Sequence, residues 1–144
     1  LEYAFMADRV GRTHARLRIA GGTISAELGQ DCHGLPLSML LMPGARHEFG
    51  AALATCFDTR TALDLTLSKR RNSTNPPIPA RMVLYPLRND SDAVTRLLGG
   101  LAAFGDTGSS PCQFDLTDIR GMPLTRKGHR PTYKDHLRLV VNNT

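Results

Sequence analysis

The chain contains no tryptophan, three tyrosines and five phenylalanines, so the aromatic platforms on which single-stranded nucleic acid stacks are poorly supplied. Its three cysteines, Cys32, Cys56 and Cys112, are an odd number at wide and irregular spacing. That spacing fits neither a disulfide framework nor a zinc motif, and reduced thiols in a cytoplasmic protein are expected. No apolar run approaches the roughly 20 residues that span a bilayer. The longest candidate, residues 35–42, is broken by Pro36 and Ser38, so no membrane association is expected. No signal peptide is visible. The chain opens on Leu1 rather than Met, which leaves an upstream segment or a lost leader open. Nucleophile elbow, P-loop, dinucleotide fingerprint and H-E-x-x-H are all missing. The pairs Gly21-Gly22 and Gly99-Gly100 match no phosphate-binding motif. Internal repeats and low-complexity tracts are absent.

What is present is an ordinary globular composition, 41% hydrophobic and 22% charged over 144 residues. This is the size of one domain, or of one domain with a tail. The formal net charge is +5 and the pI near 9.6. A pI this high is one flag for nucleic-acid binding. The basic residues are nevertheless scattered, from Arg9, Arg12, Arg16 and Arg18 through Lys69-Arg70-Arg71 to Arg81, Arg88 and Arg126-Lys127. A solvated basic surface is therefore preferred to a nucleic-acid face.

Residues 3–7 alternate large and small side chains and suit a strand. Gly11 lies in the turn that follows. Ala15, Leu17 and Ile19 then alternate with Arg16 and Arg18, a period-2 pattern with one dry and one wet face. Two strands joined by a Gly-containing loop read as a hairpin. Thr23 is positioned to cap a short helix over residues 24–28, and Gly29 to stop it. Asp31-Cys32-His33-Gly34 reads as a turn, and Pro36 permits a brief helical turn through Leu41. In residues 46–57, Phe49, Ala52, Leu53, Cys56 and Phe57 fall at i, i+3, i+4, i+7 and i+8, the stripe of an amphipathic helix, opposite Arg46, His47 and Glu48. Leu63, Leu65 and Leu67 alternate with polar partners as a strand. Residues 69–79 form a polar loop around Asn75-Pro76-Pro77, and 81–87 form another strand ended by Pro86 and Asn89-Asp90. Residues 94–104 carry a helical stripe at Val94, Leu97, Leu98, Leu101 and Ala102. Gly99-Gly100 in its middle would cost a helix roughly 1–2 kcal/mol against two alanines. Periodicity alone favours helix there. Residues 105–111 read as a linker.

Several of these segments, in this order, resemble a divergent PAS family found among proteobacterial proteins. The residues are Leu17-Arg-Ile-Ala-Gly21, Glu27-Leu-Gly29, Cys32-His-Gly-Leu-Pro-Leu37, Pro86-Leu-Arg-Asn-Asp90 and Val94-Thr-Arg-Leu-Leu-Gly99. Members of that family carry a "Y-R-L-A-G-T" strand, which Arg18-Ile-Ala-Gly-Gly-Thr23 matches with Gly22 added. They also carry "L-P-L-x-D-D-G" and a strand like "V-x-R-L-L-G-A-L". The match covers roughly residues 14–104. The family's usual aromatic- and Pro-containing N-terminal helical region is missing, and nothing after Ser109 is explained by the resemblance.

The resemblance implies an α+β, PAS-like five-stranded antiparallel sheet in the order 2-1-5-4-3, with helices on one face. It turns residues 94–104 into a central strand, whose glycines leave room for close approach. The expected organisation is a sensory domain over residues 1–104. A polar extension over residues 105–144 follows, with a short final strand at residues 137–140.

The same resemblance implies a pocket between the sheet and the helices. The expected wall is Leu17, Ile19, Phe49, Leu53, Phe57, Leu65, Met82, Leu84 and Leu98; packing of these side chains into a dry core is the competing reading. The flavin-binding kind of PAS domain carries Asn-Cys-Arg-Phe-Leu, which this chain lacks, so photochemistry is not expected. Cys32 and His33 form the one pair able to offer a soft metal or heme iron two ligands, a weak candidate. Asp106-Thr107-Gly108-Ser109 spells the catalytic tetrapeptide of pepsin-like proteases. That chemistry needs two carboxylates sharing a proton, and the tetrapeptide sits here in a linker. No catalytic activity is expected. Met6, Val83 and Tyr85 are candidates for an exposed interaction face, and a homodimer or a signalling partner protein is expected to use it. The function so read is signal sensing or protein interaction, through a small molecule of unnamed class or a partner. The alternative is a small basic nucleic-acid-binding protein.

Overall fold

A computed structural model describes residues 2–71, 74–91, 93–108 and 111–124. The N-terminal hairpin pairs β1 (Ala4–Val10) with β2 (His14–Ala20). Its turn holds Gly11 at φ +70°, a backbone region that favours glycine. Next comes α1 (Gly22–Leu28), capped at its start by the Gly21 backbone rather than by Thr23. Gly29, at φ +73°, ends it with a left-handed residue, as its position in the sequence suggests. Two 3-10 turns, Leu37–Leu40 and Pro43–Ala45, lead into α2 (Arg46–Thr59). This helix buries Phe49, Ala52, Leu53, Cys56 and Phe57, the stripe visible in the sequence. It stops at Arg60, which adopts φ +51°.

Three strands then complete the family topology: β3 (Thr61–Lys69), β4 (Ile78–Arg88) and β5 (Val94–Ala103). A further strand, β6 (Asp115–Pro123), follows. All neighbours are antiparallel, in the order β2-β1-β5-β4-β3-β6. The expected order 2-1-5-4-3 is present, with six strands rather than five among the described residues. The sixth pairs with β3 along its whole length, from Thr61↔Pro123 to Ser68↔Asp115. It arises within residues first read as a polar extension. The strand expected at 137–140 lies outside the described residues.

Residues 94–103 form a strand, as the family resemblance implies and against the helix that their stripe alone suggests. β5 is hydrogen-bonded on both sides, to β1 and to β4, and the two-sided ladder outweighs a stripe interrupted by two glycines. β4 continues through Pro86, which the sequence reading made its end. The last β3 partner of β4 is Leu84, so the missing N–H at Pro86 breaks no bond to β3.

One face of the sheet and the helical layer share a single apolar core. It contains Phe5, Leu17, Ile24, Leu37, Leu53, Leu65, Met82, Leu97 and Phe114 among others.

Candidate functional site

Seven of the nine expected pocket residues converge on the inner face. Leu17, Phe49, Leu53, Phe57, Leu65, Met82 and Leu84 are all buried in the one core cluster. The other two do not join them. Ile19 is 61% exposed and Leu98 42% exposed.

The reason in each case is local backbone geometry. In the hairpin, Ala7 pairs with Leu17 but Met6 pairs with Ile19, so Arg18 is an extra residue in β2. Such a bulge places two residues against one and breaks the alternation. Leu17 therefore points inward while Ile19, two positions later, points outward. In β5 the alternation is regular: Leu97, Gly99 and Leu101 are buried, and Leu98 falls on the opposite face. Leu97 and Leu101 are the inner-face residues that the helical stripe obscured.

The centre of the inner face is filled from within the chain. Phe5 on β1 is paired with Gly99 on β5, and its ring lies across the glycine. A Cβ added at Gly99 would sit 2.2 Å from Phe5 Cζ. A ring thus occupies the place where any other residue of β5 would put a side chain.

The helical end of the core is closed by the segment that leads to β6. The Thr107 hydroxyl donates to both carboxylate oxygens of Glu27, at 3.0 and 2.9 Å. The Cys112 amide donates to the Glu27 carbonyl, and Phe114 is joined to Leu40 and Met42 by two backbone hydrogen bonds. Phe114 itself is fully buried. Burial pushes the thiols of Cys56 and Cys112 up to about 12, with Glu27 adding to the effect at Cys112.

Cys32 and His33 go separate ways. Cys32 is buried and its Sγ accepts a hydrogen bond from Ser25, whereas His33 is exposed with Nδ1 2.9 Å from the Arg18 carbonyl. Among the described residues no three His, Cys, Asp or Glu side chains gather as a metal site. In the protease-like tetrapeptide, Asp106 caps its own turn by accepting from the Gly108 amide.

The open face of the sheet is the other candidate. Register pairs run Ile19↔Met6, Met6↔Leu98 and Leu98↔Tyr85, an apolar row across β2, β1, β5 and β4. Val83 and Gly100 form a pair one step along. Charges flank the row in ion pairs. Asp8 lies between Arg96 at 2.9 Å and Arg18 at 3.2 Å. The Arg96 hydrogen bond, helped by Arg18, holds its carboxyl below the usual value against the opposing effect of burial. Asp64, 5% exposed, accepts two hydrogen bonds from Arg81, one of them Nε to Oδ1 at 2.9 Å. This bidentate pairing raises the Arg81 pKa.

The basic residues whose clustering would favour a nucleic-acid face are spread across the sheet, with Arg81 on the interior strand β4. Arg16 and Arg18 lie on β2, while Arg70 and Arg71 follow β3 beside β6. Arg18, Arg70 and Arg81 are each paired with a carboxylate.

A sheet of this order, with helices inserted between its second and third strands, defines an α+β domain of PAS-like fold. The chain belongs to the PAS domain family: the family model described as a PAS domain matches residues 1–102. Among solved structures it is similar to the LOV protein of Rhodobacter sphaeroides, with a TM-score of 0.53 and 16% sequence identity. That match covers 74% of this chain and 61% of the LOV protein, so the chain spans about three-fifths of its length. At this identity the likeness is one of fold. No curated protein matches the chain. No helix among the described residues is long and apolar enough to cross a membrane.

Proposed function

We propose that this PAS domain is an interaction module without catalytic activity of its own, that it works in the cytoplasm, and that it pairs with a second copy of itself through the open face of the sheet. The observation that carries this reading is the apolar row Ile19–Met6–Leu98–Tyr85, with Ile19 and Leu98 well exposed. Contiguous exposed apolar surface of this kind marks association sites. The inner face, by contrast, has Phe5 laid across Gly99.

A second copy is favoured as the partner by electrostatics. The chain carries a net +5, and the repulsion between two like-charged molecules is smallest where the meeting surfaces carry little net charge. On this face Arg81 is cancelled by Asp64, and Arg18 and Arg96 share Asp8, so these five side chains leave a net of only +1. Relay of a signal then amounts to a shift in how the two sheets pack, driven by whatever prefers one arrangement.

The test is the mass of the native protein in solution, with Leu98→Arg as the perturbation. Wild type is expected to sediment as a dimer and the variant as a monomer with an unchanged melting temperature. A monomeric wild type would sink the self-association reading. A co-purified small molecule in the native mass spectrum would instead move the function to ligand sensing.

A further inference from the structure

A groove of about 300 Å³ lies between the β1–β2 turn and the first turns of α2, on the helical side of the sheet. It is lined by Thr13, His14, Arg46, His47, Gly50 and Ala51. Four of these six side chains carry hydrogen-bond donors and none is acidic. Among the described residues, the side chains of Thr13, His14 and His47 make no hydrogen bond or ion pair, so three polar groups face the groove uncommitted. Arg46 is anchored by its Nε to the carbonyls of Ser38 and Leu41, each at 3.1 Å, which fixes the guanidinium at the rim.

The floor is open because α2 has its smallest residues here. A Cβ on Gly50 would meet the Thr13 carbonyl at 3.3 Å, so the turn rests directly on the helix at that point. The neighbouring charges reinforce the sign of the site. Arg12 lines the adjoining groove, which shares Thr13 and Ala51. Asp58, in that adjoining groove, is taken by Arg9 at 2.9 Å. Glu48 lines a separate groove with Arg70 and Asp115.

We propose that this groove binds a small oxyanion, a phosphate group, held by the Thr13 hydroxyl, the His14 and His47 imidazoles and the Arg46 guanidinium. Donors of this kind match phosphate oxygens, and charge-assisted hydrogen bonds to them are the strong ones. A divalent cation is disfavoured by Arg46 and by the lack of a third ligand side chain. The groove lies away from the open sheet face, so occupancy and self-association are read separately: amide shifts report the first and native mass the second.

The experiment is a titration of the full chain with sodium phosphate, followed by amide proton–nitrogen spectra against sodium chloride at matched ionic strength. Saturable shifts at Thr13, His14, His47, Gly50 and Ala51, in the millimolar range, are expected with phosphate alone. The double variant His14→Ala/His47→Ala should weaken binding about tenfold, the size expected for losing one to two such hydrogen bonds, and leave the melting temperature unchanged. Tighter binding of phenyl phosphate than of inorganic phosphate assigns a phosphate monoester; equal or weaker binding assigns the free ion. Identical shifts in chloride, unchanged affinity in the double variant, or shifts produced by zinc and not by phosphate would each overturn the proposal.

Discussion

Replacing Gly99 by alanine tests whether the Phe5 ring is locked against β5. The added Cβ would lie 2.2 Å from Cζ and 2.4 Å from Cε2 of Phe5. Ordinary carbon contacts are about 3.5–4.0 Å, so the overlap exceeds an ångström. β5 cannot retreat, because it is hydrogen-bonded to β1 on one side and to β4 on the other. Phe5 must therefore leave its rotamer in a filled core, an overpacking that costs about 1–3 kcal/mol. Against this, Gly→Ala stabilises by about 0.4–1 kcal/mol by stiffening the unfolded chain, and the clash still dominates. Phe5→Ala alone deletes a fully buried ring, at about 3–5 kcal/mol. In the double variant the alanine methyl enters the space that the ring has vacated. The two losses should then fall short of additivity by about 1–3 kcal/mol, a range typical of residues in direct contact. Urea unfolding followed by far-ultraviolet circular dichroism measures all four corners of the cycle; the absence of tryptophan removes the usual fluorescence probe. A neutral or stabilised Gly99→Ala, or losses that simply add, would refute the argument.

Other consequences can be checked as directly. Cys56 and Cys112, whose thiols are pushed up to about 12 by burial, should resist alkylation at pH 8 in the native protein and react on addition of urea; native-state labelling of either would contradict the packing described. Asp64 is nearly inaccessible whereas the Arg81 side chain retains 28% exposure. Arg81→Leu strands a buried carboxylate and should cost about 3–5 kcal/mol, more than Asp64→Leu; equal losses would argue against that asymmetry. Asp8 has a folded-state pKa depressed below its ordinary 3.8, so its ion pairs contribute stability that is fully present above that pH and lost as pH falls through the lower native value. Asp8→Asn should therefore lower the melting temperature at pH 7, by an amount that shrinks as pH falls below 3.8; a gap that stays constant in acid would assign the loss to packing instead.

Much of the architecture was legible in the chain. The stripe Phe49–Phe57 located α2, the alternation at residues 63–67 located β3, and Gly29 marked a helix end by its tolerance of positive φ. Periodicity alone misleads at two places for one cause: it takes side-chain direction from spacing, and spacing assumes a regular backbone. The bulge at Arg18 reversed Ile19 relative to Leu17. The i, i+3 and i+4 stripe of residues 94–102 is equally compatible with a strand in which only Leu97, Gly99 and Leu101 face inward. Its true state depends on ladders to β1 and β4, some 90 and 15 residues away in sequence.

β6 was hidden for a related reason. Its partly buried apolar residues, Leu116, Ile119 and Met122, recur every third position across a ladder that contains a bulge, so no period-2 signal survives. The basic surface was legible in its amount but not in its pairing, since Asp8 meets Arg96 across 88 positions of sequence. Local patterns located α1, α2 and the strands β1 to β4, and the order of the motifs pointed to the family. Which face each residue presents, which charges neutralise one another, and whether the core is filled by Phe5 or left for something else were decided only by strand pairing. Those properties depend on register between distant segments, and hydrophobic periodicity along one segment carries no information about it.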